Sequence, residues 1–269
     1  METIRRFSSW LPILGICALL LQGCSTVPVT GRSQLNLMSS AQEMELGLTS
    51  FQQLKQQTPI SQDPAMNALV QKVGKRVAAV AGKDMPNAQW EFVVFDNPEA
   101  NAFCLPGGKV GVFKGILPIT KDEAGLATVI GHEVAHAIAR HGAERMSEAM
   151  VIQGGGQLLG ASLSKSDPKW QQTAALAYGM GTQVGLELPH SRKQESEADE
   201  IGLIYMARAG YDPEEAVKFW QRFSDFNKQH GGNSTPQFLR THPLDDVRIQ
   251  QLQQWMPKAK AEFVNQPAK

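Results

Sequence analysis

The chain has 269 residues, 26 basic and 26 acidic side chains, and 42% hydrophobic residues. Balanced charge argues against a strongly basic nucleic-acid-binding domain, and three cysteines, at 17, 24 and 104, make no disulfide framework. With no internal repeat or charge block, the length suits one sizeable domain held by its core.

Residues 1–23 read as a signal peptide. Arg5 and Arg6 form a basic start, and the apolar stretch from Trp10 to Leu21 is short for a bilayer span. Leu21-Gln22-Gly23-Cys24 resembles a lipoprotein cleavage box, which would leave Cys24 as the lipidated first residue. Ser25 rather than Asp follows it. By resemblance to Gram-negative lipoproteins, that implies the outer membrane, facing the periplasm. An ordinary secretory signal or an uncleaved anchor is the alternative, and it too places the rest outside the cytoplasm. Residues 24–37, rich in Thr, Val, Pro, Gly and Ser, read as a tether, 38–260 as the folded domain and 261–269 as a tail.

Ser40-Ala41-Gln42-Glu43 is expected to cap a helix running towards Gln57. Asp63-Pro64 starts another that carries Leu69, Val70, Val73, Val77 and Val80. The period then changes: Trp90 to Phe95 predicts a strand, and Lys109 to Phe113 a second after the Pro106-Gly107-Gly108 turn. Between them, Cys104 reads either as a small buried residue or as a redox or inhibitory thiol.

Thr120-Lys121-Asp122-Glu123 reads as a capping box, and Leu126, Val129, Ile130, Val134, Ala137 and Ile138 follow at helical spacing. Within that helix lies His132-Glu133-Val134-Ala135-His136. Residues i and i+4 share a face, so the two histidines can grip one metal ion, while Glu133 is turned towards a water beside it. The alternative, a histidine pair on an ordinary buried helix, leaves three polar side chains among Ala, Val and Ile with no evident partner. His141, five residues after His136, is rotated off the ligand face.

Residues 150–187 hold two apolar stretches interrupted by Gly154-Gly155-Gly156, Gly160, Gly179, Gly181 and Gly185. They predict either a helical hairpin packed on the core or a mobile lid over the cleft. A helix start at Pro189 and Ser191 then introduces Glu195-Ser196-Glu197-Ala198-Asp199 ahead of an apolar run. Glu195 and Asp199 sit one turn apart, which becomes favourable if a cation or a ligand histidine lies between them. Glu195 is therefore the candidate third metal ligand, and Asp199 the acceptor for a ligand imidazole N–H. A solvated acidic face steadied by Arg192 and Lys193 is the alternative.

Asp212-Pro213-Glu214-Glu215 starts a structural helix with Ala216, Phe219, Trp220 and Phe223. Pro243 and the acids after it suit a last helix that buries Leu244, Val247, Leu252 and Trp255. His242, just outside that helix, can stabilise an oxyanion, occupy the open metal position, or serve as a capping or surface histidine. His190 and His230 carry no motif.

The two metal motifs, with Asn101-Ala102-Phe103, Leu105-Pro106-Gly107-Gly108, Thr241-His242-Pro243 and Arg248, resemble the metallopeptidases that include the CAAX-prenyl endopeptidase, the mitochondrial stress-activated inner-membrane peptidase and bacterial HtpX. The likeness covers residues 40 to 255 and is strongest to the periplasmic lipoprotein peptidases of outer-membrane quality control. It implies an α-rich α+β, zincin-like domain with a small sheet beside the His132–His136 helix, one zinc ion per chain, and Glu195 as third ligand. The multi-pass membrane helices of the prenyl endopeptidase and HtpX are missing from the pattern, so their substrates are not implied.

The expected function is a zinc endopeptidase of extended or misfolded envelope polypeptides, with Glu133 as general base and His242 as a further catalytic candidate. One alternative is a chaperone-like lipoprotein that binds assembling envelope proteins and cleaves rarely; a weaker one is hydrolysis of peptidoglycan cross-links. No nucleic-acid partner is expected, and the sequence leaves the oligomeric state open.

Overall fold

The computed structural model describes residues 24–230, 236–243 and 246–263. The expected leader, 1–23, lies outside them, as does the tail from 264. The expected tether does not survive as such. β1 (Cys24–Thr26) and β2 (Ser33–Leu35) pair antiparallel. Val27 is buried, Gln34 Nε2 donates to the Ala139 carbonyl at 2.8 Å, and the Leu37 amide donates to Ser147 Oγ at 2.9 Å. Residues 24–37 are thus a docked hairpin. Its turn, with Val29 and Gly31 at positive φ, draws on the same residue types as a linker, so composition could not separate the two.

Helix α1 (Ser40–Gln57) is capped one residue earlier than expected, by Ser39 in a reciprocal box with Gln42. Helix α2 (Pro64–Ala81) starts as expected, with Asp63 accepting from the amides of Ala65 and Met66. The three-stranded sheet follows: β3 (Glu91–Phe95), β4 (Ala102–Leu105) and β5 (Lys109–Phe113), in the order β3-β5-β4. β5 is central, parallel to β3 and antiparallel to β4, and every residue in it is buried. Strand β4 was not anticipated. Its four residues are too few to show alternation, and only the partner across Phe103↔Gly111 reveals it.

After the short α3 (Leu117–Thr120) comes α4 (Glu123–Ile138), the helix carrying His132 and His136. Its cap is Asp122, accepting from Gly125 N at 2.9 Å, and not Thr120, whose hydroxyl closes the preceding turn onto the Leu117 carbonyl. A left-handed Arg140 then turns the chain into α5 (His141–Ser162), which pairs with α6 (Pro168–Thr182). A π-turn over Gln183–Glu187 runs directly into α7 (Leu188–Arg208), so α7 is a continuation and not a freshly capped helix. Helices α8 (Glu214–His230), α9 (Gln237–Thr241) and α10 (Asp246–Glu262) complete the described fold.

The α5–α6 hairpin exists but is not packed on the core. Only His141, Ala143, Glu144 and Ser147 of α5 are buried, and no residue of α6 is. Leu158 is 74% exposed and Trp170 58%. In α10 the expected stripe holds at Leu252 and half-buried Trp255, but Val247 is 53% exposed; Leu244 lies outside the described residues.

The core centres on α4, which packs on α7, α2, β4 and α8. Its contact with α7 is backbone to backbone: a Cβ on Gly202 would lie 2.8 Å from His132 N, and one on Gly131 would lie 2.9 Å from the Gly202 carbonyl. Gly202→Ala should therefore destabilise the protein by about 1–3 kcal/mol through overpacking, despite alanine's better helix propensity. Gly160, with nothing within 4 Å of its would-be Cβ, supplies the control, and Gly160→Ala should stabilise by about 0.4–1 kcal/mol. Urea denaturation of both variants checks the pair.

Candidate metal centre

The crossing of α4 and α7 brings His132, Glu133 and His136 against Glu195 and Asp199, and α9 delivers His242 to the same point. All are buried except His242, which is half-buried. One donor atom each from His132, His136, Glu195 and His242 lies within 4.8 Å of the others. His132 Nε2 is 3.1 Å from His136 Nε2 and 3.3 Å from Glu195 Oε2, while His136 Nε2 is 3.2 Å from Glu195 Oε1. His242 Nδ1 stands 2.9 Å from Glu195 Oε2 and 3.2 Å from His132 Nε2. A tetrahedron with zinc–nitrogen bonds of 2.0–2.1 Å has edges of about 3.3–3.4 Å. Five of the six donor pairs, at 2.9–3.3 Å, lie close to that spacing, and imidazoles with a carboxylate suit zinc in chemistry.

Glu133 supplies a second indication. Its buried Oε1 has no hydrogen-bond partner among the described residues, and His242 Nε2 is 3.3 Å away. Burial pushes its pKa up, against the pull of His242 and His132. Such an atom is suited to a water or a substrate proton.

Each histidine of α4 is held from behind. His132 Nδ1 faces Asp199 Oδ1 at 2.9 Å, the arrangement the sequence suggested, and Arg248 grips both Asp199 oxygens at 2.6 and 2.7 Å while lying over the Trp220 ring. Burial disfavours a charged His132, yet hydrogen bonds to Asp199 and Glu195 raise it to about 9. Behind His136 stands His141, with Nδ1 to Nδ1 at 2.8 Å and its Nε2 at 3.0 Å from Glu197 Oε2. The sequence reading set His141 off the ligand face and gave no hint of this contact.

Glu195 and Asp199 do not form the solvated face offered as the alternative. Their partners are His132, His136, His242 and Arg248. Burial would raise Glu195, but those imidazoles hold it well below the usual carboxylate range. Against this centre lies a cleft of about 540 Å³, bounded by β4, Glu133, His136, the start of α5, and His242. Among the described residues, none from 150 to 187 lines it, so the described part of the hairpin does not cover it. Cys104 forms part of the wall, and burial, with the Glu133 charge, keeps its thiol protonated.

A family model described as peptidase family M48 matches residues 64–256. Among characterised proteins, the chain is 37% identical to mitochondrial metalloendopeptidase OMA1 of Saccharomyces cerevisiae over 90% of its own length and 74% of that protein. It is 30% identical to the human mitochondrial metalloendopeptidase OMA1, over 86% of this chain and 46% of the other. The beta-barrel assembly-enhancing protease of Escherichia coli (strain K12) is 28% identical over 83% of this chain and 46% of its own.

Asp199 and Arg248 form a buried pair, so removing one member strands the other. Asp199→Asn should cost about 3 kcal/mol or more. Adding Arg248→Met should return part of that loss, because the orphaned charge goes with it. Denaturation with chelator present measures both, and a double variant no more stable than the single one would deny the coupling.

Proposed function

The chain belongs to peptidase family M48 and is a metalloendopeptidase; on that footing we propose that His132, His136 and Glu195 hold a zinc ion and that Glu133 is the general base. The observation that carries this is the convergence of their donor atoms beside the buried Glu133 carboxylate, whose Oε1 has no hydrogen bond among the described residues, in one cleft. When bound, zinc supplies Lewis-acid polarisation of the scissile carbonyl and activation of water. Glu133 takes the proton of the attacking water and passes it to the departing amine nitrogen, which leaves as a neutral amine. Edge strand β4 lines the cleft and is hydrogen-bonded on its β5 side. An extended polypeptide added along its other edge would be held mainly through main-chain hydrogen bonds, with little demand on sequence. This favours unfolded or unassembled chains as substrates.

His242 is proposed as a resting fourth ligand. Its Nδ1 lies within the donor set, whereas an oxyanion stabiliser would face an open position. That occupancy supports a second reading, in which the protein mostly binds its clients and cleaves once His242 withdraws.

We place the protein in the cell envelope, lipidated at Cys24 on the periplasmic face of the outer membrane and acting in protein quality control. Leu21-Gln22-Gly23-Cys24 and the likeness to the Escherichia coli protease favour this, although OMA1 relatives are mitochondrial. With strand β1 beginning at Cys24, a lipid there would hold the domain close to the membrane surface.

Glu133→Gln should lower hydrolysis of an unfolded polypeptide by about 100-fold or more, with one zinc per chain and thermal stability retained. Wild-type turnover in that variant would overturn the mechanism. His242→Ala should raise basal turnover by freeing the fourth position. A drop of about 100-fold would instead assign it to the oxyanion, and unchanged activity and metal geometry would make it structural.

A further inference from the structure

We propose that Arg32, Glu197 and His141 form a positioning relay that fixes the tautomer and orientation of His136, making the N-terminal hairpin part of the metal site. The proposal rests on His136 being a ligand through Nε2.

The hydrogen-bond order carries the argument. Glu197 Oε2 is 3.0 Å from His141 Nε2, and a carboxylate can only accept, so that nitrogen bears the proton. His141 is then left with a lone pair on Nδ1, which faces His136 Nδ1 at 2.8 Å. With His136 Nε2 given to the metal, as the premise requires, the His136 proton lies on Nδ1 and that nitrogen is the donor in the contact. Its Nε2 lies 3.2 Å from Glu195 Oε1 and 3.1 Å from His132 Nε2, within the donor set. With the metal on Nε2, the two inner contacts run in one direction, from His136 Nδ1–H to His141 and from His141 Nε2–H to Glu197.

What orders this relay is a cation from outside the helices. Arg32 Nε donates to Glu197 Oε2 at 2.7 Å, while its two terminal nitrogens hold Glu144 at 2.6 and 2.9 Å. Thr30 Oγ1 donates to Glu197 Oε1. Both residues belong to the β1–β2 hairpin, 165 or more positions from Glu197 in sequence. Glu144 receives a further bond from Gln194 Nε2 at 2.7 Å. With His141 fully buried and Glu197 7% exposed, solvent cannot substitute for a lost partner at the inner contacts. His132 has a carboxylate directly behind it, at Asp199, whereas His136 reaches its carboxylate through an intervening imidazole. That longer connection has two inner contacts to align, which explains why it is braced from the hairpin.

The test compares zinc affinity, by chelator competition, and the visible spectrum of the cobalt-substituted protein, in full-length variants. Arg32→Met and His141→Leu should each weaken zinc binding by about 10–100-fold and alter the cobalt spectrum. His141→Gln should recover most of the affinity, because its amide oxygen accepts from His136 and its NH2 donates to Glu197. Melting of the metal-free proteins shows whether any loss is mere unfolding. Should His141→Leu unfold, Arg32→Met and His141→Gln still decide the matter. Wild-type affinity and spectrum in Arg32→Met and His141→Leu would overturn the relay. So would a His141→Gln protein that is folded but no better than His141→Leu. His136→Ala separates the premise: if it keeps full zinc affinity, the ligand assignment fails, and if it loses zinc while the relay variants do not, only the relay fails.

Discussion

The site depends on a steric constraint that carries no charge: α4 and α7 cross at Gly131 and Gly202 with their backbones touching. Only at that distance can a histidine of one helix and a carboxylate of the other share an ion. His132 directly follows the crossing on α4, and Glu195 lies about two turns before it on α7. A methyl group at either glycine would lever the two ligand faces apart. Packing and chemistry therefore meet at one point. The hydrophobic core around Leu126, Ile130, Val134, Ile201 and Tyr205 holds the helices together, and the glycines set how close they come.

That closeness has a cost, because ionisable groups become buried far from water. Their partners are drawn from four places in the fold: Arg248 from α10, His242 from the end of α9, His141 and Glu144 from α5, and Arg32 from the β1–β2 hairpin. Several elements that look peripheral in the chain thus act as counter-charges and hydrogen-bond partners to α4 and α7. The coupling also explains why single substitutions are expected to be expensive here, since they leave a partner buried and unsatisfied.

Local chemistry was legible in the sequence, and long-range partnership was not. His132, Glu133 and His136 announce themselves because their spacing is a property of one helix, and Glu195 with Asp199 because two acids one turn apart call for a cation. The Asp63 and Asp212 helix starts were equally local, and both hold. Arg32 lacks any such signal. It sits in a Pro-, Thr- and Gly-rich stretch whose composition suits a linker, and its role exists only through Glu144 and Glu197. Strand β4 was hidden by its shortness. The shifted cap at Asp122 reflects Thr120 being already engaged in the preceding turn, and Val247 is exposed although its place in an apolar stripe suggested burial.

Charge balance ties these observations to a divalent ion. Around the two α4 histidines the described residues bring five carboxylates, from Glu133, Glu144, Glu195, Glu197 and Asp199, against the guanidiniums of Arg32 and Arg248. Arg248 is spent chiefly on Asp199, and Arg32 on Glu144 and Glu197. Glu195 is left to lean on the imidazoles of His132, His136 and His242 and on a distant edge of Arg248 at 3.5 Å, and burial pushes the pKa of Glu133 up. A protonated His132 meets part of the deficit without metal, which is why its pKa climbs against its burial. A dication among the same donors meets more of it, and leaves His132 neutral as a ligand must be. The polar centre of this fold thus carries an excess of acidic groups, which a divalent ion of the kind its donor geometry fits would reduce.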